Sequence, residues 1–225
     1  MNKLFNHPSN SKYEFDQLHS RRKYPSITSI LSVQSNEGLE KWRAAVGDDI
    51  ADWEMRRASI RGKAFHSIAE SYLKNQDISH FEPKILPMGL FNLVKEQIDR
   101  IDNICALEAN LFSNSYKIAG RVDICADFDG VKSIIDLKSA NKAKNEDQLN
   151  IHAIQETAYA VMWEEMTNES IEQIVTIVAC ENGEYQTIIN KPSNFLNDLK
   201  TCIKDFEWVL VHGKKRGQLL YQNGT

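Results

Sequence analysis

Two carboxylates and one lysine in the middle of the chain have the types and the spacing of a metal-assisted reaction centre. Asp136 and Lys138 are two positions apart in an apolar segment, so on a β-strand both side chains leave the same face. The pair Asp129-Gly130 predicts a tight hairpin that folds this strand against the one carrying Asp123. Positions pair symmetrically about such a turn, which places Asp123 directly opposite Asp136.

Opposed carboxylates of this kind favour a divalent metal ion. Carboxylates with Cβ atoms about 5 Å apart repel each other unless a cation lies between them. Oxygen ligands suit Mg²⁺ or Mn²⁺, and such an ion polarises a phosphate and acidifies a bound water. The compact ammonium of Lys138 suits the orientation of that water, and the carbonyl of Leu137 is free to face the ion. The alternatives are a plain salt bridge between Asp136 and Lys138, and a structural or solvated role for Asp123.

Two further motifs lie on predicted helices. The first is RGKAFH at 61–66, which ends on His66; a histidine beside apolar neighbours is by default a core or rim residue. The second is QETAY at 155–159, where Gln155 and Tyr159 share one helix face and can reach a phosphate or buttress the strand. The basic residues of the first motif, Arg61 and Lys63, fit either a solvated helix face or a phosphate-binding groove.

Periodicity predicts an α/β protein with a mixed central sheet and helices on both faces. Residues 1–23 are expected to be flexible, and 24–225 to form one domain, with a mainly helical part at 24–104 and a sheet core at 105–211. Pro25 and Ser26 predict the start of a short helix. Trp42 and Trp53 are expected to pack in the core, and a platform on which bases stack is the alternative. Helices are predicted at 37–58, 60–74, 88–103, 147–166 and 193–211, and strands at 105–113, 117–128, 131–138, 171–180 and 184–190.

Composition sets broad limits on the class of protein. The 225 residues are 42% hydrophobic and 26% charged, as in an ordinary globular domain, and the net charge of −4 argues weakly against a passive nucleic-acid coat protein. The four cysteines are scattered without a CxxC pair, which argues against a zinc site, an iron–sulfur cluster or a disulfide framework. No apolar run matches a secretory signal or a bilayer span, so we expect no membrane association and a cytoplasmic location.

The ordered series RGxxxH, GxVD, DxK and QxxxY resembles the RecB-like branch of the PD-(D/E)xK nucleases. Within that branch it is similar to the mitochondrial genome maintenance exonucleases and to related phage exonucleases. The resemblance runs from about residue 24 to 160 and includes YPSITSIL at 24–31. The chain departs from the superfamily pattern at Val122, where a proline is often found. It also has no counterpart of the four cysteines that hold an iron–sulfur cluster in some relatives.

The resemblance implies a restriction-endonuclease-like core with a helical N-terminal extension. It implies that His66, Asp123, Asp136 and the Leu137 carbonyl bind Mg²⁺ or Mn²⁺, with Lys138 as the catalytic lysine. Glu108 on the preceding strand is a possible ligand of a second metal. The implied substrate is DNA, cut from a free end and preferably single-stranded, in the cytoplasm of a bacterium or a phage-infected host; a protein partner stays unknown. An endonuclease with the same core, a nuclease-derived DNA-binding subunit without catalysis, and a metal-independent scaffold are the alternatives.

Overall fold

The computed structural model describes residues 24–213. It contains five α-helices and five β-strands in that range, together with short 3₁₀ turns at Ser79–Phe81 and Pro192–Phe195. The helices are α1 (Ile27–Val46), α2 (Asp48–Leu73), α3 (Ile85–Ile98), α4 (Glu146–Thr167) and α5 (Leu196–His212). The strands are β1 (Ile101–Ser113), β2 (Ile118–Phe128), β3 (Val131–Ala140), β4 (Gln173–Cys180) and β5 (Tyr185–Asn190). The expected flexibility of residues 1–23 lies outside the described residues.

The five strands form one mixed sheet in the order β1-β2-β3-β4-β5. All neighbours are antiparallel except β3 and β4, which are parallel and are joined through α4. The β2–β3 hairpin has the register that the Asp129-Gly130 turn predicts, because its pairs run from Phe128 with Val131 to Ile124 with Ile135. Beyond that last pair β3 stays bonded to β4, so the sheet separates between β2 and β3 just where Asp123 and Asp136 follow.

Helices cover both faces of the sheet, which confirms the predicted layer arrangement. On one face the start of α1 packs with α4 and α5; on the other, the second half of α2 packs with α3. The first core contains Ile27, Ile30, Val122, Tyr159 and Trp163, among others. The second contains Phe65, Ile68, Phe91, Ile135 and Leu137, among others. The chain between residues 32 and 64 therefore passes from one face of the sheet to the other.

The N-terminal helices begin and end at other residues than the sequence predicted. Ser26 caps a helix of 20 residues, because its side chain accepts a hydrogen bond from the Ser29 amide at 3.1 Å. The break between the first two helices lies at Gly47, whose φ of +88° disfavours other residues, rather than near residue 59. The core-packing prediction for two tryptophans was wrong, since Trp42 is 36% and Trp53 is 59% exposed.

The third helix is shifted towards the N-terminus relative to the predicted 88–103. It starts at Ile85 and ends at Ile98, and β1 follows from Ile101. The Asp129 amide donates to the Arg100 carbonyl at 3.3 Å, and the Arg100 guanidinium binds the Asp129 carboxylate, which ties the start of β1 to the hairpin turn. Propensity cannot reveal such a contact over 29 residues of separation. Within residues 24–213 no helix has the length and apolar character needed to cross a bilayer.

Candidate active site

The two predicted carboxylates approach each other where β2 and β3 separate. The backbone amide of Leu137 donates a hydrogen bond to Oδ2 of Asp123 at 3.1 Å, so a side chain of β2 takes the place of a ladder bond. The amide and carbonyl of one residue point to the same edge of an extended strand. The Leu137 carbonyl therefore also faces the opening beside Asp123.

Asp136 is buried in this opening and is held by the lysine two residues further on. Its carboxylate is 2% exposed, and Nζ of Lys138 lies 2.7 Å from Oδ1 and 2.6 Å from Oδ2. Burial opposes the charged form of Lys138, but Asp136 and Asp123 outweigh it and raise the pKa of the ammonium above its usual value. The salt bridge considered as an alternative thus exists, and it lies inside a larger cluster of charged groups.

His66 and Glu108 complete that cluster from two other elements. Nδ1 of His66, on α2, lies 3.6 Å from a carboxylate oxygen of Glu108 and 3.6 Å from Oδ2 of Asp123. One potential ligand atom from each of these three residues lies within 4.8 Å of the others. Asp136 does not belong to this trio, whereas Glu108, which the sequence suggested only for a second metal, does. An imidazole and two carboxylates at this spacing have the chemistry of a site for Mg²⁺ or Mn²⁺.

Glu108 reaches the trio through an unusual backbone conformation. It lies in the left-handed region with φ of +50°, which is rare for a residue with a side chain and recurs at functional sites. Arg121 on β2 holds it there, because its Nε lies 2.8 Å from a carboxylate oxygen and also donates to the Glu108 carbonyl at 3.0 Å. Periodicity assumes that side chains alternate regularly along β1. It therefore could not predict that the Glu108 side chain points towards His66 and Asp123.

The electrostatics of the site favour an added cation. Burial, together with the charge of Asp136, raises the pKa of Asp123 to about 7. Burial lowers the pKa of the His66 imidazole, but Glu108 and Asp123 outweigh burial, and the net direction is upward. Asp123 and His66 thus hold their protons more firmly than usual, whereas His66 and Arg121 lower the pKa of Glu108. A divalent ion would satisfy the same negative potential, so these residues fit the metal that the motifs imply.

The second helical motif faces the site from α4 as a support. Nε2 of Gln155 donates to the hydroxyl oxygen of Tyr159 at 3.0 Å, and Tyr159 is only 2% exposed. Burial raises the pKa of this phenol above its usual value, and the nearby Asp136 adds to the shift. Of the two roles left open for this pair, the placement of Tyr159 favours the buttress over a phosphate contact.

The two basic residues of the first motif have different surroundings. Arg61 is 6% exposed and is surrounded by partners at the ends of β3 and β4. Its Nε donates to Oγ of Ser139 at 3.2 Å and its Nη1 donates to Asn141 at 2.6 Å. The guanidinium also pairs with Glu181. It fastens α2 to the sheet next to Lys138. Lys63, by contrast, is exposed and is free to meet a phosphate.

Two titratable residues of α4 that the motifs did not single out line the same site. His152 has a buried Nδ1 without a hydrogen-bond partner among the described residues, and burial lowers its pKa to about 4. Glu156 is 1% exposed and accepts a hydrogen bond from Thr176 of β4. Burial raises the pKa of Glu156 well above its usual value, and Asp136 raises it further. Helical spacing was the available signal, because position 152 lies about one turn before Gln155 and two before Tyr159.

A mixed sheet that separates at two carboxylates, with a lysine on the same strand and helices on both faces, resembles the core of the PD-(D/E)xK-like nucleases, as the order of the motifs predicted. No family model matches the chain. The sequence is 25% identical over 133 residues to human "Mitochondrial genome maintenance exonuclease 1" and 26% identical over 132 residues to the mouse protein of that name. These matches cover 55% of the chain and 39% of each relative, so the chain matches about two fifths of the length of these relatives.

The fold is similar to that of a solved structure over most of its length. The crystal structure of a "Putative exonuclease" from Eubacterium rectale superimposes with a TM-score of 0.55, covering 88% of this chain and 84% of that one. The sequences are 14% identical in this alignment, so the likeness concerns the fold. It confirms the predicted α/β architecture with N-terminal helices.

Proposed function

We propose that the protein is a metal-dependent deoxyribonuclease that hydrolyses phosphodiester bonds from a DNA end. The observation that carries this proposal is the meeting of Asp123 and Asp136 at the separation of β2 and β3, with Lys138 on the same strand face. A salt bridge that served only stability would need Asp136 and Lys138 alone. His66, Glu108 and Asp123 also converge on the same opening, and this convergence has a purpose if the three residues bind a metal ion that in turn binds a phosphate.

The ligand set proposed for the metal is His66, Asp123, Asp136 and the Leu137 carbonyl, and the geometry adds Glu108. A bound divalent ion supplies Lewis acidity at the scissile phosphate and makes water a nucleophile near neutral pH. Magnesium is the ion we expect, with manganese as a substitute, because oxygen atoms make up most of the set. No cysteine belongs to the site, so we propose an enzyme without an iron–sulfur cluster.

The residues around the metal have separate roles in positioning and stabilising the phosphate. Lys138 donates hydrogen bonds, which suits both the orientation of a water molecule and the offset of charge that develops on the phosphate. Asp136 fixes the position of the ammonium through its two short contacts. Tyr159 and Gln155 hold α4 against the site, and His152 is a neutral side chain at pH 7, available to accept or donate one hydrogen bond.

The substrate and the location follow from the similarities and are proposals. The human and mouse relatives are named exonucleases of the mitochondrial genome, which supports DNA as the substrate and cleavage from an end. Their compartment differs from the bacterial or phage-infected cytoplasm that the motifs suggested for this chain. The proposal includes a preference for single-stranded DNA, and it includes no protein partner.

Cleavage of end-labelled DNA by the purified full chain tests this function. We expect cleavage with Mg²⁺, none in excess EDTA, and a loss of at least about 100-fold in Lys138→Ala and Asp123→Asn, the scale on which removal of one charge-stabilising group acts. Lys142→Ala is the matched control, since Lys142 is an exposed lysine just after β3. Thermal unfolding should show that all three variants are folded. Full activity in EDTA, or wild-type rates in either site variant, would contradict the proposal.

A further inference from the structure

An open groove lies between α2 and the beginning of α3, beside the candidate active site. Its volume is about 310 Å³, near the lower end of the range for ligand pockets, about 300–1,000 Å³. Its lining combines apolar side chains with arginines: Trp53, Arg56, Arg57, Ile60, Arg61, Leu86 and Pro87. The α2 members recur at intervals of three or four residues, so they form one continuous face of the helix.

The apolar part of this groove is exposed to solvent. Trp53 is 59% exposed, Ile60 is 66% exposed and Leu86 is 38% exposed. Single exposed apolar residues are ordinary on a protein surface, but a tryptophan, an isoleucine and a leucine around one concave site mark a binding surface. The large flat ring of Trp53 is the residue best suited to cover another flat, apolar face.

The charged part of the groove favours an anionic ligand. Three arginines line it, whereas two carboxylates, Glu54 and Glu181, pair with Arg57 and Arg61 there. Arg56 is exposed and has no ion pair among the described residues. The Arg57 guanidinium lies 5.8 Å from the Trp53 ring centroid, a distance at which a cation steadies an aromatic ring.

Arg61 connects the groove to the candidate active site. This arginine lines the groove and also donates to Oγ and the carbonyl of Ser139, the residue after Lys138. Lys144 lies near both cations, since burial lowers its pKa and the charges of Lys138 and Arg61 lower it further. A phosphodiester chain that has one phosphate at Lys138 would therefore meet positive charge on its way to Trp53.

We propose that this groove is a base-stacking subsite for single-stranded nucleic acid, with Trp53 as its platform and Arg56 on the adjoining phosphate. The inference rests on the proposed nuclease function and adds to it a place where the substrate binds away from the reaction centre. An unpaired base offers a free π-face to an aromatic ring, whereas the faces of bases inside a duplex are covered by their neighbours. The subsite ends at Trp53, because the preceding turn of α2 carries Asp48, Asp49 and Asp52, and Arg43 balances only part of their negative charge.

Binding of a fluorescent oligothymidylate by the full chain in EDTA tests the subsite without any cleavage. An oligonucleotide of about 12 nucleotides is long enough for one single-strand site. We expect Trp53→Ala to weaken binding by roughly 5- to 150-fold, the range for one stacked base, and Trp53→Phe to keep most of the affinity. Trp42→Ala, a change of the other exposed tryptophan on the neighbouring helix, should bind as the wild type does. Arg56→Gln should reduce the slope of log affinity against log salt by about 0.7.

The possible results separate the inference from the proposed function and from other occupants of the groove. Tight binding that depends on Trp53, without cleavage on addition of Mg²⁺, would support the subsite and refute the nuclease. Unchanged affinity in Trp53→Ala, equal losses in Trp53→Ala and Trp42→Ala, or tighter binding of duplex than of single strand would refute the subsite. Sedimentation that shows a dimer lost in Trp53→Ala would instead identify the groove as a contact between two copies of the chain.

Discussion

A Cβ atom on Gly120 would lie 2.6 Å from Cε1 of Tyr159 and 3.2 Å from Cγ2 of Ile27. Gly120 lies on β2, three residues before Asp123, and Tyr159 is the last residue of the QETAY segment on α4. The glycine of one motif and the tyrosine of another are thus the two sides of a single contact. That contact sets how closely the supporting helix approaches the strand that carries the first carboxylate.

Replacement of this glycine should loosen the site. Gly120→Ala should lower the free energy of unfolding by about 1–3 kcal/mol, because the added methyl group meets a buried ring and cannot be accommodated without a shift. Nuclease activity should fall together with stability. Chemical denaturation with urea measures the change. Gly89→Ala is the control: no atom lies within 4 Å of its would-be Cβ on α3, and alanine in a helix should stabilise by up to about 1 kcal/mol. Equal effects at both positions would contradict the close contact.

Glu108 gives a second prediction, on metal binding. Glu108→Gln should raise the Mg²⁺ concentration needed for half-maximal activity by about 10-fold or more, the lower part of the range for loss of groups that support metal ligands. The reason is the loss of one negative charge 3.6 Å from His66. Glu70→Gln is a suitable comparison, since Glu70 pairs with Lys74 at 2.6 Å instead of joining the trio. An unchanged metal requirement in Glu108→Gln would remove this residue from the site.

The sequence was informative where function depends on local pattern. The turn at Asp129-Gly130 and the strand alternation were enough to place Asp123 beside Asp136, because a tight hairpin fixes its own register. The sequence suggested Glu108 only as a ligand of a second metal, and its place beside His66 was out of reach, since that place depends on a left-handed residue inside a strand. The burial of Arg61 was also out of reach, because its partners lie 78 to 120 residues away in sequence.

The exposed tryptophan shows a further limit of pattern reading. Trp53 lies on a stretch with helix-like apolar spacing, which normally indicates a face packed in the core. In the structure the core contacts of α2 concentrate in its second half, from Phe65 onwards, and the first half has only Ala51 buried. Periodicity reports that a helix has an apolar face, and the tertiary arrangement decides what that face meets.

A pair of cysteines away from the site predicts a pH effect on stability. The Cys125 thiol donates to the Cys105 sulfur, Lys132 lies with Nζ at 3.0 Å from it, and together they lower the pKa of Cys105 to about 6. Between that value and the ordinary pKa of an unfolded thiol, the unfolded chain binds more protons than the folded one, so this group makes stability rise with pH. In Cys105→Ser the slope of unfolding free energy between pH 6 and 9 should fall by up to about 1.4 kcal/mol per pH unit. Cys202→Ser serves as control, and identical slopes in wild type and Cys105→Ser would contradict the shift.

The last prediction concerns the need for a DNA end, and its reason lies in the path of the chain. The first turns of α1, with Ile27 and Ile30, pack on one face of the sheet, and the second half of α2, with Phe65 and Ile68, packs on the other. The segment between them is continuous and is fastened at Arg61 to Ser139, next to Lys138. A strand that threads between this segment and the site has to enter by an end, and a circle of DNA has none.

Linear and circular single-stranded DNA of equal sequence therefore provide the test. With Mg²⁺ present, we expect the circle to be degraded at least about tenfold more slowly than the linear strand, a difference of about 1.4 kcal/mol in the barrier. A single nick by a sequence-independent endonuclease should restore rapid digestion, which controls for the topology of the substrate. Equal rates on circle and linear strand would exclude threading and favour an endonuclease with an open groove. Faster digestion of linear duplex than of linear single strand would refute the strand preference, because a duplex about 20 Å wide does not fit a passage for one strand. That result would leave the proposed metal chemistry at Asp123 and Asp136 unaffected.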